Sequence, residues 1–295
     1  MLRRQLTPLE PLVKQVEGAA ALDEPAKTAG KKVRSLLSAQ PLKDAVSGTW
    51  LGHAVHPMLT DVVIGSFVSA TMLDVLGGDG TGTAQRRLIG LGMAAYAPTA
   101  LTGVNDWADT EISDDAVRRT GVVHAATNAL ALSLYAISLR ARRRGADRTG
   151  TVFGALGAGV LMAGGYLGGH LSLTKGVGAD QTVFDRGPTD WTRAADASQL
   201  PEGRMTRIVV DDTPVLLLRR GEEIFALHDR CSHRGCSLSD GELEGDDVVC
   251  ACHGSRFDIR SGALKQGPAT SPQPAFQVRL VDELVEIRRL SLPPS

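Results

Sequence analysis

Little of this 295-residue chain is aromatic, 4 %, and its formal net charge is only −1. Without an excess of Lys and Arg there is no global basic field, which argues against a nucleic-acid partner. No apolar run follows the basic start Met1-Leu2-Arg3-Arg4, so no cleavable secretory or twin-arginine signal is expected. Cysteine is missing from the first 230 residues, and all four lie between Cys231 and Cys252. Acidic and basic residues are missing altogether from Thr151 to Leu173. A stretch with so little polar surface does not suit a soluble amphipathic helix.

That stretch is the last of four. Met58 to Leu76, Leu88 to Val104 and Val122 to Leu139 precede it. Lengths of about 17–23 residues suit membrane spans, and the spacing of Gly164/Gly168 and Gly165/Gly169 lets embedded helices approach closely. Asp61 and Asp74 near its ends make the first stretch the least regular. The composition therefore predicts a polar leader over 1–48 and a four-helix membrane domain over 49–173. A linker over 174–195 and a charged, β-branched domain over 196–291 follow. Within the leader, Val33 to Val46 reads either as a short amphipathic helix on a membrane surface or as part of a segment packed on the next domain.

Four spans place both termini and the loop 105–121 on one membrane face. The basic loops 77–87 and 140–150, with Arg86, Arg87, Arg140, Arg142, Arg143, Arg144 and Arg148, favour the cytoplasm for the other face. The basic leader and the lack of an export signal argue the opposite, so the sequence leaves the orientation open. His53, His56, His124 and His170 all fall on the face that carries the termini, with Asp61, Asn105, Asp106 and Asn128. Helix-end polar residues satisfying one another, a haem held by His124 and His170 or by one of them with His56, and a quinone or metal site are the readings open there.

The last domain alternates apolar and polar residues in short runs: Met205–Val210, Val215–Arg219, Ile224–His228, Asp247–Ala251, Phe276–Leu280 and Leu284–Ile287. Turns such as Asp211-Asp212 separate them, the pattern of a small antiparallel all-β fold. Between the third and fourth runs lies Cys231-Ser232-His233-Arg234-Gly235-Cys236, and then Cys250-Ala251-Cys252-His253-Gly254-Ser255-Arg256-Phe257-Asp258. The pattern C-x-H, a spacer, C-x-x-H supplies two thiolates and two imidazoles, as a two-iron cluster with unlike iron sites needs. Mixed Cys/His zinc sites exist, but this spacing with an extra cysteine pair is not a usual zinc arrangement. His228 has no place in the pattern and reads as a packing residue at a strand end.

These residues resemble the Rieske [2Fe-2S] family, in both ligand pairs, both glycines, the second cysteine of each loop and Ser255. The resemblance implies a β domain in which Cys231 and Cys250 hold one iron, and His233 and His253 the other. It implies a disulfide between Cys236 and Cys252, and a cluster hydrogen bond from the Ser255 hydroxyl. Phe257 stands where high-potential members have a tyrosine, so a reduction potential below theirs is expected. Gly52-His53-Ala54-Val55-His56-Pro57, Asn105-Asp106-Trp107, His124 with Asn128 and Gly168-Gly169-His170 resemble a family of uncharacterised four-helix bacterial membrane domains, which implies a fold and no chemistry.

The function expected is that of a membrane-anchored one-electron carrier, multi-pass in a bacterial cell membrane, with a redox partner protein or quinone. The alternatives are the ferredoxin component of an oxygenase system and a redox-sensing membrane module. Rieske oxygenases hold a mononuclear iron by two His and a carboxylate after the cluster. No histidine follows His253 here, so a self-contained oxygenase of that kind is not expected.

Overall fold

The computed structural model describes residues 9–78 and 80–290. The start Met1-Leu2-Arg3-Arg4 and position 291 lie outside them. The chain divides into two compact units. A helical unit takes residues up to Ala39 and Val55–Val177, and a β unit takes Gln40–Ala54 and the chain from Gly178.

In the helical unit, α1 (Glu10–Glu17) and α2 (Asp23–Leu36) precede the long helices. The next helix, α3 (Gln40–Ser47), belongs to the β unit. The expected single helix from Val33 to Val46 is therefore broken. Leu37 leaves the helical region with φ −103° and ψ 24°. Pro41 has no N–H to continue the α2 ladder but fits the first turn of α3. The leader is thus two pieces rather than one. α2 is tied to the helical unit by Arg34, whose guanidinium donates to Glu111 at 2.7 Å, and by Asp23, which accepts two bonds from Arg119 at 2.9 and 2.6 Å. Gly30 makes room: a Cβ there would lie 2.4 Å from the Glu111 carboxylate. Arg118 also bonds Glu111, at 2.8 Å.

The long helices are α4 (Val55–Leu76), α5 (Gly82–Thr110), α6 (Asp115–Arg143) and α7 (Asp147–Gly169), the last running into a π-helical turn, His170–Thr174. Phe67 and Tyr135 stack at the centre with ring centroids 4.1 Å apart. Val63, Ala70, Ile89, Ala131, Leu139 and Leu161 surround them. Gly92 on α5 and Gly157 on α7 lie against these rings, where a Cβ would come within 2.6 Å of Phe67 and 3.0 Å of Tyr135. Asp74, the acidic residue that interrupts the first apolar stretch, is paired with buried Arg142 at 2.6 Å and accepts from Gln85 and Thr151.

Three helical segments, Val55–Leu76, Asp115–Arg143 and Asp147–Thr174, are long and apolar enough to cross a membrane. They keep large apolar side chains such as Met58, Met72, Leu130, Val152, Leu156 and Met162 on the outside. α5, the second expected span, is not in this set. Its apolar run is interrupted by Pro98 and by Gln85, Thr99, Thr102 and Asn105, which are buried among the helices.

The β unit has three antiparallel sheets. β1 (Thr192–Asp196), β2 (Thr206–Val210), β3 (Thr213–Arg220) and β4 (Glu223–His228) come first. β5 (Glu242–Glu244), β6 (Asp247–Val249), β7 (Arg256–Asp258) and β8 (Leu264–Gln266) follow, and then β9 (Phe276–Val281) and β10 (Leu284–Arg289). The strand orders are β1-β10-β9, β2-β3-β4 and β5-β6-β7-β8. Val215 to Leu218 on β3 are fully buried, and side chains alternate along a strand. Val215 and Leu217 enter a core with Val285 and Ile287, and Leu216 and Leu218 enter a second core with Leu227, Phe257 and Ile259. Asp211-Asp212 and Asp282-Glu283 turn their hairpins with two positive φ values each, as two-residue hairpin loops require.

The expected linker 174–195 is not free chain. From Gly178 it lies on the β unit: Gln181 N donates to Ser232 O at 3.0 Å, and Thr213 Oγ1 donates to Asp185 at 2.5 Å. Arg289 N donates to Pro188 O at 2.8 Å. Buried Thr182 and the close seat of Gly187 on Phe276 fix the rest.

Candidate metal centre

The two cysteine loops leave strands of different sheets and are built alike. One follows β4 and the other joins β6 to β7. In the first, the amide of Cys231 donates to Cys236 O and that of Gly235 to Cys231 O, both at 2.8 Å. In the second, Cys250 N donates to Ser255 O at 2.9 Å and Gly254 N to Cys250 O at 3.0 Å. The fifth residue of each loop is a glycine in the left-handed region, Gly235 with φ 74° and Gly254 with φ 75°. A side chain there costs about 1–2 kcal/mol.

This shared form aims backbone amides at each first cysteine. Cys231 Sγ receives those of His233 and Arg234, and Cys250 Sγ those of Cys252 and His253. Such a nest of amides favours a thiolate. Both cysteines are free and buried, and their side chains hydrogen-bond each other. That bond and then burial push the Cys231 thiol well up, and the two sulfurs titrate as a pair. Cys250 is lowered to about 6 by the same bond, aided by its two amides. A second thiolate beside the first would repel it unless a cation lay between them.

His233 and His253 set their rings edge to face, centroids 5.0 Å apart. Burial, followed by the charges of Arg234, His253 and Lys43, pushes His233 well below the ordinary histidine value, so its imidazole is neutral and suited to a metal. Cys236 and Cys252 form the disulfide that the resemblance implied. Their sulfurs and that of Cys250 lie within 4.8 Å of one another. The disulfide sulfurs are spent in their own bond, which leaves two thiols and two imidazoles as the donor set. Buried paired thiols in amide nests beside a neutral imidazole fit a cluster with mixed ligands.

Ser255 is fully buried, and its Oγ accepts from Ala269 N at 3.0 Å. A hydroxyl that accepts there keeps its own hydrogen to donate. Phe257, also fully buried, packs in the core that contains Cys231 and Cys250.

Two supporting residues escaped the sequence analysis. Gln273, 2 % exposed, accepts from Ser232 N at 2.9 Å and donates to His228 O and Arg230 O at 2.6 Å. Asp229, 1 % exposed, accepts from Ser239 N at 2.8 Å and Ser237 Oγ at 2.6 Å. Together they fix both ends of the first loop. His228 is a buried strand-end residue whose Nδ1 accepts from Arg230 N at 3.1 Å and whose Nε2 lies 3.3 Å from Asp185.

His56, His124 and His170 of the helical unit each meet a different partner. His56 Nδ1 donates to Thr99 O at 3.0 Å, and His124 Nδ1 to Gly164 O at 2.9 Å beside Asn128. His170 Nε2 lies 3.0 Å from Glu17, which also meets Lys175 at 2.7 Å. His53 is exposed. The His124–His170 pairing considered for a haem is therefore replaced by separate bonds, because Glu17 on α1 takes up His170.

Residues 190–278 match the family model described as Rieske [2Fe-2S] domain, and residues 52–181 match that described as predicted membrane protein (DUF2231). The anthranilate 1,2-dioxygenase ferredoxin subunit of Burkholderia cepacia is 36 % identical over 98 residues, 33 % of this chain and 91 % of the relative. The ferredoxin component of biphenyl 2,3-dioxygenase from Rhodococcus jostii is 38 % identical over 98 residues, 32 % of this chain and 92 % of the relative. Among solved structures, the ferredoxin of carbazole 1,9a-dioxygenase from Nocardioides aromaticivorans aligns with 28 % identity and a TM-score of 0.32, covering 34 % of this chain and 98 % of that one. With its paired cysteine loops and relatives matched over nearly their whole length, the chain belongs to the Rieske [2Fe-2S] family, its cluster domain joined to a DUF2231 membrane-protein domain.

Proposed function

We propose that this chain is a membrane-anchored one-electron carrier in which Cys231 and Cys250 hold one iron of the [2Fe-2S] cluster, and His233 and His253 the other. The observation that carries the reading is the pair of matching loops, each presenting one buried thiol to two backbone amides and one imidazole beside it. When bound, the cluster supplies a one-electron couple, and neutral imidazoles in place of thiolates set its potential at roughly −150 to +300 mV.

The chain's own groups do the rest. The amide nests hold the thiolates, and burial keeps His233 neutral. The Cys236–Cys252 disulfide pins one loop to the other. Ser255 offers its hydroxyl hydrogen, while Phe257 offers none where a tyrosine would, so the potential lies in the lower part of the family's range.

α4 to α7 form the anchor as a four-helix transmembrane bundle in a bacterial cell membrane, with α5 crossing beside the three apolar segments. Exposed apolar side chains on those segments support a lipid environment. The electron acceptor is a redox partner protein, and an oxygenase is favoured because the relatives named above are ferredoxin parts of dioxygenases.

The test is to express the full chain, wash the membranes at alkaline pH, and measure iron, sulfide and the EPR spectrum of the reduced pellet. The proposal expects two irons and two sulfides per chain, retained in the pellet and lost in Cys231→Ser. Release of the chain by the wash contradicts the anchor; zinc in place of iron contradicts the cluster.

A further inference from the structure

The β unit includes a piece of chain that its cysteine loops gave no reason to expect. Gln40–Ala54 is separated from the rest of that unit by the whole of α4 to α7 and lies outside the residues 190–278 that match the Rieske model. It consists of α3 and a 3-10 turn, Thr49–Leu51, with Gly48 between them in the left-handed region. Val46 and Ser47 are buried.

Its polar side chains close on one short loop. Asp44 accepts from Gly267 N at 3.0 Å, Gln40 Nε2 donates to Gly267 O at 3.0 Å, and Thr49 Oγ1 donates to Ala269 O at 3.1 Å. The fit is tight: a Cβ on Gly267 would lie 2.0 Å from Thr49 Oγ1. Ala269 is the residue whose amide donates to Ser255 Oγ at 3.0 Å, and Ser255 O in turn accepts from Cys250 N at 2.9 Å. Lys43, on the same helix, is near enough for its charge to act on His233. A chain of contacts thus runs from Thr49 to the Ala269 carbonyl, and from the Ala269 amide, in the preceding peptide, to the Ser255 hydroxyl.

We propose that residues 40–51 are a strap that belongs to the cluster site, and that Thr49 and Asp44 are positioning residues that set the Ser255 hydroxyl by fixing Gly267 and Ala269. This rests on the proposed function, since the hydroxyl matters only beside a cluster. The physical reason is directional. One oxygen that accepts from Ala269 N has one hydrogen left to give, and the tilt of the Ala269 peptide decides where that hydrogen can point. Loss of a donated bond disfavours the reduced cluster and lowers its potential.

The experiment uses the full chain in detergent, with two readouts. The first is hydrogen–deuterium exchange at the Gly267 and Ala269 amides. The second is the midpoint potential by redox titration. Asp44→Ala and Thr49→Val are expected to speed exchange at both amides, and Thr49→Val to lower the midpoint. Thr49→Ser, which keeps the hydroxyl, is expected to restore both. In a Ser255→Ala background, Thr49→Val is expected to shift the midpoint no further. Exchange unchanged in both variants overturns the strap whether or not a cluster is present. Faster exchange with an unmoved midpoint, or an equal shift without Ser255, overturns the positioning role. A wild-type protein with protected amides but no cluster signal overturns the proposed function and this role with it, while leaving the strap as a packing element.

Discussion

Ser255 and Phe257 are both fully buried in the β unit, and of the two only Ser255 carries a hydroxyl. Phe257 packs with Cys231 and Cys250 and has nothing to donate. Phe257→Tyr is expected to raise the midpoint potential: a bond of about 1 kcal/mol corresponds to about 40 mV for one electron. Redox titration checks it, and an unchanged or lower value contradicts the role given to this position. Asp258, one residue further, does a different job. Its Oδ1 accepts from Arg260 N at 3.1 Å, Ser261 N at 2.9 Å and Ser261 Oγ at 2.7 Å, which closes the turn after β7. The Ser261 hydroxyl, followed by the Ser261 and Arg260 amides and the Lys265 charge, holds its carboxyl below the aspartate value of 3.8. A depressed carboxyl stabilises the fold above the unfolded value and loses that contribution as pH falls through its folded value. Asp258→Ala is expected to destabilise by about 1 kcal/mol near neutrality. Denaturant curves at two pH values check it, because the gap to the wild type should narrow in acid below 3.8.

At the scale of elements, the two loops depend on cross-links that differ in how visible they are in sequence. The Cys236–Cys252 disulfide was legible because a family pattern carries it. Replacing both cysteines by Ala is expected to cost about 3 kcal/mol for a closed loop of about 15 residues, measured by denaturant unfolding, with the cluster bleaching faster in air. Gln273 was not legible, because it lies far along the chain from Ser232 and only the fold brings its amide there. The five-residue β1 and the three-residue strands β5, β7 and β8 match none of the runs read from the sequence, and the last three are too short to show alternation. The longer strands β2, β3, β4, β9 and β10 lie within a residue or two of the apolar runs. In the helical unit, Asp74 looked like a flaw in an apolar helix until Arg142 was found beside it. Asp74→Ala leaves that guanidinium buried and unmatched, and is expected to cost about 3–5 kcal/mol, read as a lower unfolding temperature of the detergent-solubilised chain. Asp74→Ala as stable as the wild type would show that water reaches Arg142.

For the whole molecule, composition alone separated an apolar helical region from a β-branched one, and the cysteine loops alone named the chemistry. The boundaries were less accessible. Residues 40–48 look like leader in the sequence and 49–54 like the start of the membrane domain, yet 40–54 build part of the β unit. The linker is fixed by bonds such as Gln181 to Ser232, which no local pattern announces. Polar residues within α5 face inward, so a hydropathy scan and a helix count disagree there. His56, His124 and His170 each bond a different partner, since depth in a helix does not fix the direction of a side chain. The unit that carries the cysteine loops is thus assembled from chain before α4 and after α7.

The central claim is a cluster held by two thiolates and two imidazoles, and its potential is the most direct report on that ligation. A redox titration of the full chain, followed by EPR of the reduced form, is predicted to give a one-electron transition between roughly −150 and +300 mV, the range of mixed ligation. A cluster that titrates near −400 mV, the value of all-cysteine plant-type ferredoxins, would contradict it.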